Sequence, residues 1–408
     1  MSLSSEPSEQ SEGRRPVMAR LMFLLLLFCG TLCTAMIVPF MSYFLVEGLG
    51  HQPWVISVYA GMAISLTLVA NRQFARRIDA GARVFPLVGL AAAGFVFAAG
   101  SLALMPTLWV VLSAGVLGFG ISSSAVSTMF SLGGSIAERQ AMDRVRFNAH
   151  MRATTSTAWM VGPALTFVIA DGFGLRAVFG AGLLAAAAWI ALWWTSLPRD
   201  ITARAGGQAA TAEAEAVPGQ LARLPREVWL AVGFVFCLST AHSLTFSALP
   251  VFYVQEVGLP GSAPGFAFSV KTFVEVFAIF STPWVIARIG MWRALLAVTG
   301  LAIVTIQLLA MVQSFGQMLA AAALEGLYYG FYASLGISYV QSFAKAMPAR
   351  ATALYWNTLM VSGVMAGPAV GLIAQAYDFQ TVIRSASVMA VVAGAVLMVG
   401  RPSRRQPV

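Results

Sequence analysis

The stretch Thr154–Ala170, TTSTAWMVGPALTFVIA, is apolar enough to sit in lipid, yet it carries Gly162-Pro163 near its middle. A proline inside a helix removes a backbone hydrogen bond and costs about 3 kcal/mol in water. Membrane helices tolerate it when neighbouring groups satisfy the freed carbonyl. The pattern returns at Val364–Ala374, VMAGPAVGLIA, where Gly367-Pro368 lies 205 residues further on. A second pair agrees: Tyr43 and Gly48-Leu49 recur as Tyr253 and Gly258-Leu259, 210 residues apart. Two matches at nearly one offset read as an internal duplication.

The rest of the chain supports a duplicated membrane protein. Of 408 residues, 59% are hydrophobic and only 10% charged, and the mean hydropathy is +0.79. Soluble domains carry about 25% charged residues. Apolar runs near the length that crosses a bilayer, about 20 residues, lie at 19–43, 53–71, 84–104, 107–131, 147–170, 175–197, 227–254, 263–287, 292–312, 316–341, 350–376 and 381–400. The expected fold is an all-α membrane protein of twelve transmembrane helices in two six-helix bundles. The expected divisions are a cytoplasmic tail 1–16, a bundle 17–198, a linker 199–226, a bundle 227–401 and a tail 402–408.

Basic residues set the orientation. Twenty-one of the 25 Lys and Arg fall in alternate loops, while only Arg176 and Arg384 fall in the opposite set. By the positive-inside rule both termini are cytoplasmic. That distribution also accounts for the net charge of +9 without nucleic acid. Cys29, Cys33 and Cys237 all lie within apolar runs, so no disulfide framework is implied. The three His are scattered and the Cys lack ligand spacing. No metal, cofactor or enzymatic constellation is expected, and no phosphate-binding loop suggests an ATP-driven pump.

Charge inside a span costs several kcal/mol by insertion scales and is a functional candidate by default. Lys271 and Glu275, in SVKTFVEVFAIF, are four residues apart on one helical face. They read either as a self-neutralising pair or as a cavity-lining substrate or proton site. In LEGLYYGFYASLGISYVQ, Glu325, Tyr328, Tyr329 and Tyr332 recur at helical spacing. Aromatic faces pack on sugar C–H surfaces, and carboxylate and hydroxyl groups bind sugar hydroxyls; the alternative is packing. Arg152, Ser156, Trp159 and Pro163 share a stripe of the fifth span, Tyr355 and Asn357 lie in the eleventh, and His242 in the seventh. Snorkelling to the interface competes with a binding role for Arg152. For the hydroxyl-bearing residues, helix-to-helix bonding competes. Glu275 and Glu325 are the candidates for proton coupling, since the first span offers no acidic residue. Gly162, Pro163, Gly367 and Pro368 are candidates for a hinge or a close-packing point between the bundles, with a static kink as the alternative.

MRATTSTAWMVGPAL resembles the fifth-span signature of the SET family of bacterial sugar efflux transporters, a branch of the major facilitator superfamily. Met151, Arg152, Ala153, Ser156, Ala158, Trp159, Gly162 and Pro163 fit it. A second region is also similar: Gln341, Met347-Pro348, Arg350-Ala351, Thr352, Leu354 and Asn357, then Gly367, Gly371 and Ile373-Ala374-Gln375. The loop NRQFARRIDAGARV keeps only Asp79, Gly81 and Arg83 of the superfamily's usual pattern, in which charges latch helix ends. The resemblance implies a bacterial inner-membrane, multi-pass secondary transporter, a monomer, that exports sugars or glycosides by proton antiport. Export of amphipathic drugs on the same fold is the alternative, and a transporter-like sugar sensor a third.

Overall fold

The computed structural model describes residues 14–139, 142, 144–203, 225–343 and 348–400. Most of the tail 1–16, most of the linker 199–226 and the tail 402–408 lie outside them. The first half comprises α1 (Arg14–Ile37, continued by Phe40–Tyr43 and a π turn, Phe44–Gly48), α2 (Trp54–Asp79), α3 (Val84–Leu104), α4 (Leu108–Val110, a π turn Val111–Gly115, Val116–Ser122 and Ser124–Arg139), α5 (Arg144–Phe173) and α6 (Leu175–Ser196). The second comprises α7 (Arg226–Val251, continued by a π turn Phe252–Glu256), α8 (Ala263–Ile289), α9 (Met291–Ala310), α10 (Phe315–Ser342), α11 (Pro348–Ala376) and α12 (Phe379–Val399).

Among the described residues, 11 helices are long and apolar enough to cross a membrane. The remaining helix, α10, has 28 residues and is long enough, but is less apolar. Glu325 and its tyrosines lower its hydropathy. Several helices overrun their apolar spans. The second span was expected to end at 71, but α2 runs to Asp79. Its last turns carry Arg72, Arg76 and Arg77, which favour helix as well as apolar residues do and complement the negative end of its dipole. The α10 and α12 starts are capped by Ser314, accepting from the Gln317 amide at 3.3 Å, and Asp378, accepting from the Thr381 amide at 2.6 Å.

The halves share one packing scheme. In the first, α1 packs on α5 and α6, α3 on α4 and α6, and α2 on α4. In the second, α7 packs on α11 and α12, α9 on α10 and α12, and α8 on α10. Each contact reappears six helices later. The turns match as well: Gly50 and Gly258 take φ of 66° and 75°, and Gly81 and Gly290 take 81° and 80°. Only glycine adopts that left-handed region without strain. These turns correct the repeat register. Gly258 corresponds to Gly50 rather than Gly48, and Tyr253 to Leu45 rather than Tyr43. The sequence match was two residues off because it followed identities rather than the helix ends.

The halves meet along α2–α11 and α5–α8, contacts that exchange under the repeat. Four hydrogen bonds cross between them among the described residues. Ser42 Oγ donates to the Ser247 carbonyl (3.2 Å), Ser57 Oγ to the Pro368 carbonyl (2.5 Å), Gln255 Nε2 to Glu47 Oε2 (2.7 Å) and Ser269 Oγ to the Met160 carbonyl (2.7 Å). All lie toward the end holding the α1–α2 and α7–α8 turns. Glu47 and Gln255 are themselves repeat-related, 208 residues apart, so they meet across the pseudo-twofold axis.

The kinks fall on these seams. A side chain at Gly367 would sit 2.7 Å from Ala60 Cβ of α2, and one at Gly265 of α8 would sit 2.8 Å from the Pro163 carbonyl. Gly162 serves its own half, since a Cβ there would lie 2.8 Å from Ala35 Cβ of α1. Small residues thus let helix backbones touch.

Candidate functional site

The site begins with a close backbone approach. A Cβ at Gly326 of α10 would collide with the Lys271 carbonyl of α8, and one at Gly330 with the Glu275 carbonyl, 2.5 Å away. The two glycines let α8 and α10 lie backbone to backbone, which brings Lys271 and Glu275 beside Glu325 and Tyr329.

Lys271 is 5% exposed. Its Nζ donates to Glu275 Oε2 at 3.2 Å and lies 4.4 Å from the Tyr329 ring centroid, a cation–π contact. The other face of the cluster comes from α7. The His242 ring stacks on Tyr329 with centroids 3.8 Å apart, and His242 Nδ1 is 3.2 Å from the Tyr328 hydroxyl. That nitrogen is also 3.6 Å from Glu325 Oε1, too far for a direct hydrogen bond. Glu325 is 1% exposed, and its Oε1 has no hydrogen-bond partner among the described residues. A buried oxygen of this kind is costly unless something binds it.

An aromatic path leads from this cluster to the other half. Phe246 of α7 lies 5.9 Å from Lys271 Nζ and packs on Phe268 of α8 at 4.9 Å. Its far edge meets Trp159 of α5 at 6.4 Å. Phe246 and Phe268 were not singled out in the sequence, where two more phenylalanines among 27 carry no signal. The i+4 spacing of Phe246 from His242 could have found one of them.

The structure therefore brings together His242, Lys271, Glu275, Glu325, Tyr328 and Tyr329, with Trp159 at the rim. It directs two other tyrosines elsewhere. The Tyr332 hydroxyl donates to the Val235 carbonyl (2.9 Å) and the Tyr355 hydroxyl to the Ala333 carbonyl (3.2 Å), fastening α10 to α7 and α11 to α10. Arg152 is exposed nearer the start of α5. Ser156 and Asn357 are half-buried, with no hydrogen bond to the cluster among the described residues. Asp79 and Arg83 are exposed at the α2–α3 turn and form no ion pair among the described residues. Arg83 instead pairs its backbone with Thr202.

Two pseudo-symmetric bundles of membrane-length helices, with a buried charged cluster reached from the opposite bundle, define a solute transporter rather than an enzyme. The chain belongs to the Major Facilitator Superfamily, which it matches over residues 23–368. It is similar to Sugar efflux transporter B of Salmonella typhimurium, 27% identical over 382 residues, covering 90% of this chain and 92% of that one. Sugar efflux transporter A of Dickeya chrysanthemi is 25% identical over 384 residues, 91% of this chain and 93% of its own. Sugar efflux transporter C of Escherichia coli is 25% identical over 364 residues, 88% of this chain and 89% of its own. Among solved structures the fold is similar to that of the nucleoside transporter NupG, with TM-score 0.81 at 13% identity, covering 94% of this chain and 98% of that one.

Proposed function

We propose that this protein exports sugars or glycosides across the bacterial inner membrane by alternating access, in exchange for protons. The observation that carries the reading is Glu325: a buried carboxyl with a free oxygen, beside His242 and one contact away from the Lys271–Tyr329–Glu275 group. The curated relatives, named sugar efflux transporters, supply the substrate class.

In this reading the two bundles, 17–198 and 227–401, rock about the cluster as a monomer, with both termini cytoplasmic. The seam of serine and glycine contacts is then the closed outer gate, and the cleft opens inward. Sugar enters from the cytoplasm and packs a C–H face on Phe246 or Trp159, while Glu275, Lys271 and His242 take hydroxyls. After the bundles reverse, sugar leaves and an outward-facing carboxylate, Glu325 or Glu275, takes a proton. Neutralising that charge removes the several-kcal/mol penalty of a buried ion at the bilayer centre, so the sugar-free carrier returns, releases the proton to the cytoplasm and binds the next sugar. Pro163 and Pro368 lie where the seams must part and act as hinges.

The test is a panel of radiolabelled sugars and glycosides in proteoliposomes, run with and without an imposed pH gradient. Accumulation that follows the gradient supports the reading. Sugar flux indifferent to the gradient removes proton coupling. Flux of lipophilic cations unaffected by competing glycosides assigns the protein to drug export instead.

A further inference from the structure

We infer that the first half carries its own sugar-hydroxyl subsite, built on Asn71 and Thr67 of α2 with Ser123 and Ser127 of α4; this rests on the sugar-transport reading above.

The argument starts from the face of α2. Ser57 donates to Pro368 of α11, and Ala60 and Ile64 lie against Gly367 of α11. Residues 57, 60, 64, 67 and 71 are spaced by three and four, so Thr67 and Asn71 continue the face that α2 presents to the other half. Both residues are partly exposed.

α4 completes the group. Ser123 Oγ lies 3.4 Å from Thr67 Oγ1 and Ser127 Oγ 3.3 Å from the Asn71 amide, while the two serine protons go to the Gly120 and Ser124 carbonyls of α4 at 2.7 and 3.0 Å. With its proton on the Ser124 carbonyl, Ser127 Oγ accepts an N–H of the Asn71 amide, which keeps its carbonyl and second N–H without a partner among the described residues. Polar groups within a span face the bundle interior or a water-filled cavity rather than lipid, and Thr67 and Asn71 lie on the side of α2 that faces the other half. An amide offering one N–H and a carbonyl beside hydroxyls, with no charge, matches the hydroxyls of a sugar.

The repeat gives the same answer independently. α2 and α4 correspond to α8 and α10, and the register of Gly50 with Gly258 sets Thr67 opposite Glu275. By the same register Asn71 falls opposite Ile279 and Lys271 opposite Ala63, so the uncharged group overlaps the place of the charged cluster at Thr67 and extends one turn beyond it. From 54 to 71 and from 108 to 131 these helices contain no Lys, Arg, Asp or Glu. Nothing in the subsite titrates in the working pH range, so it recognises the sugar and leaves proton coupling to the second half.

Asn71→Leu and Thr67→Val, reconstituted and assayed for sugar counterflow, should each raise KM by about tenfold, the scale of a hydrogen bond lost from a built polar site. Their pH–rate profiles should superimpose on wild type, and Asn71→Gln, which keeps the amide, should recover most of the affinity. Thermal unfolding in detergent checks that each variant folds. If Asn71→Leu does not fold, Thr67→Val and Ser127→Ala carry the measurement. Wild-type KM in the folded variants overturns the subsite, and so does a displaced pH profile. A wild-type protein that moves no sugar overturns the sugar-transport reading instead, and is recognised before any variant is made.

Discussion

The two halves of this transporter follow the same path and hold different chemistry. Helices α2 and α4 pack as α8 and α10 do, yet the first pair meets through Thr67, Asn71, Ser123 and Ser127, and the second through Lys271, paired with Glu275, over the Tyr329 ring beside Glu325. The packing differs in the same direction. At Gly326 a side chain would strike the Lys271 backbone, whereas at Gly120 it would meet only the Leu66 side chain, 2.8 Å away. A duplicated scaffold has thus kept its connections while one copy took on the charge. Charge in a bilayer demands close surroundings, and the second half supplies them with glycine while leaving one Glu325 oxygen open.

The largest test of that contrast is steric. Gly326→Ala forces α8 and α10 apart at their backbones and should cost about 3 kcal/mol, the upper end for overpacking. Gly120→Ala should cost less, about 1–2 kcal/mol, because it presses on the Leu66 side chain down to its Cγ at 2.9 Å but on no backbone atom. Comparing the two melting curves in detergent checks this, and equal losses would break the distinction. Next, Glu325→Gln should abolish pH-driven sugar accumulation while sugar counterflow persists, since the neutral amide mimics the protonated acid. Counterflow at several external pH values reads the difference. Pro163→Ala should then slow turnover a few-fold with little change in KM, on the scale of a hinge rather than a binding contact. Smallest of all, Ser57→Ala removes one neutral hydrogen bond of about 1 kcal/mol. It should shift the balance toward the outward-open form by roughly tenfold or less, measurable by labelling a cysteine placed near Asp171.

Much of this architecture was legible in the chain. Apolar spans and the asymmetric placement of Arg gave twelve helices, because lipid imposes one solution on each span. The helix ends were less legible, as α2 shows, since helix propensity does not stop where hydrocarbon does. The repeat was visible in Gly-Pro-Ala but was misregistered near Gly48, because the signal that matters is the φ of Gly50, which composition does not reveal. Within the site, spacing put Glu325, Tyr328, Tyr329 and Tyr332 on one side of a helix but could not say which hydroxyls were already committed. Tyr332 turned out to serve a backbone carbonyl. Phe246 escaped notice because an aromatic residue in a membrane helix looks the same whether it packs or faces a cavity.

The seam at the closed end has a physical consequence of its own. Three of its four crossing bonds run from a serine hydroxyl to a backbone carbonyl, and only Glu47 contributes a charge. Dissolved ions weaken attraction between full charges over a Debye length of about 8 Å at physiological strength, but a hydroxyl on a carbonyl offers them little to weaken. The adhesion of this end should therefore stay nearly constant from dilute to concentrated medium, so a cell under osmotic shift would keep the same gate.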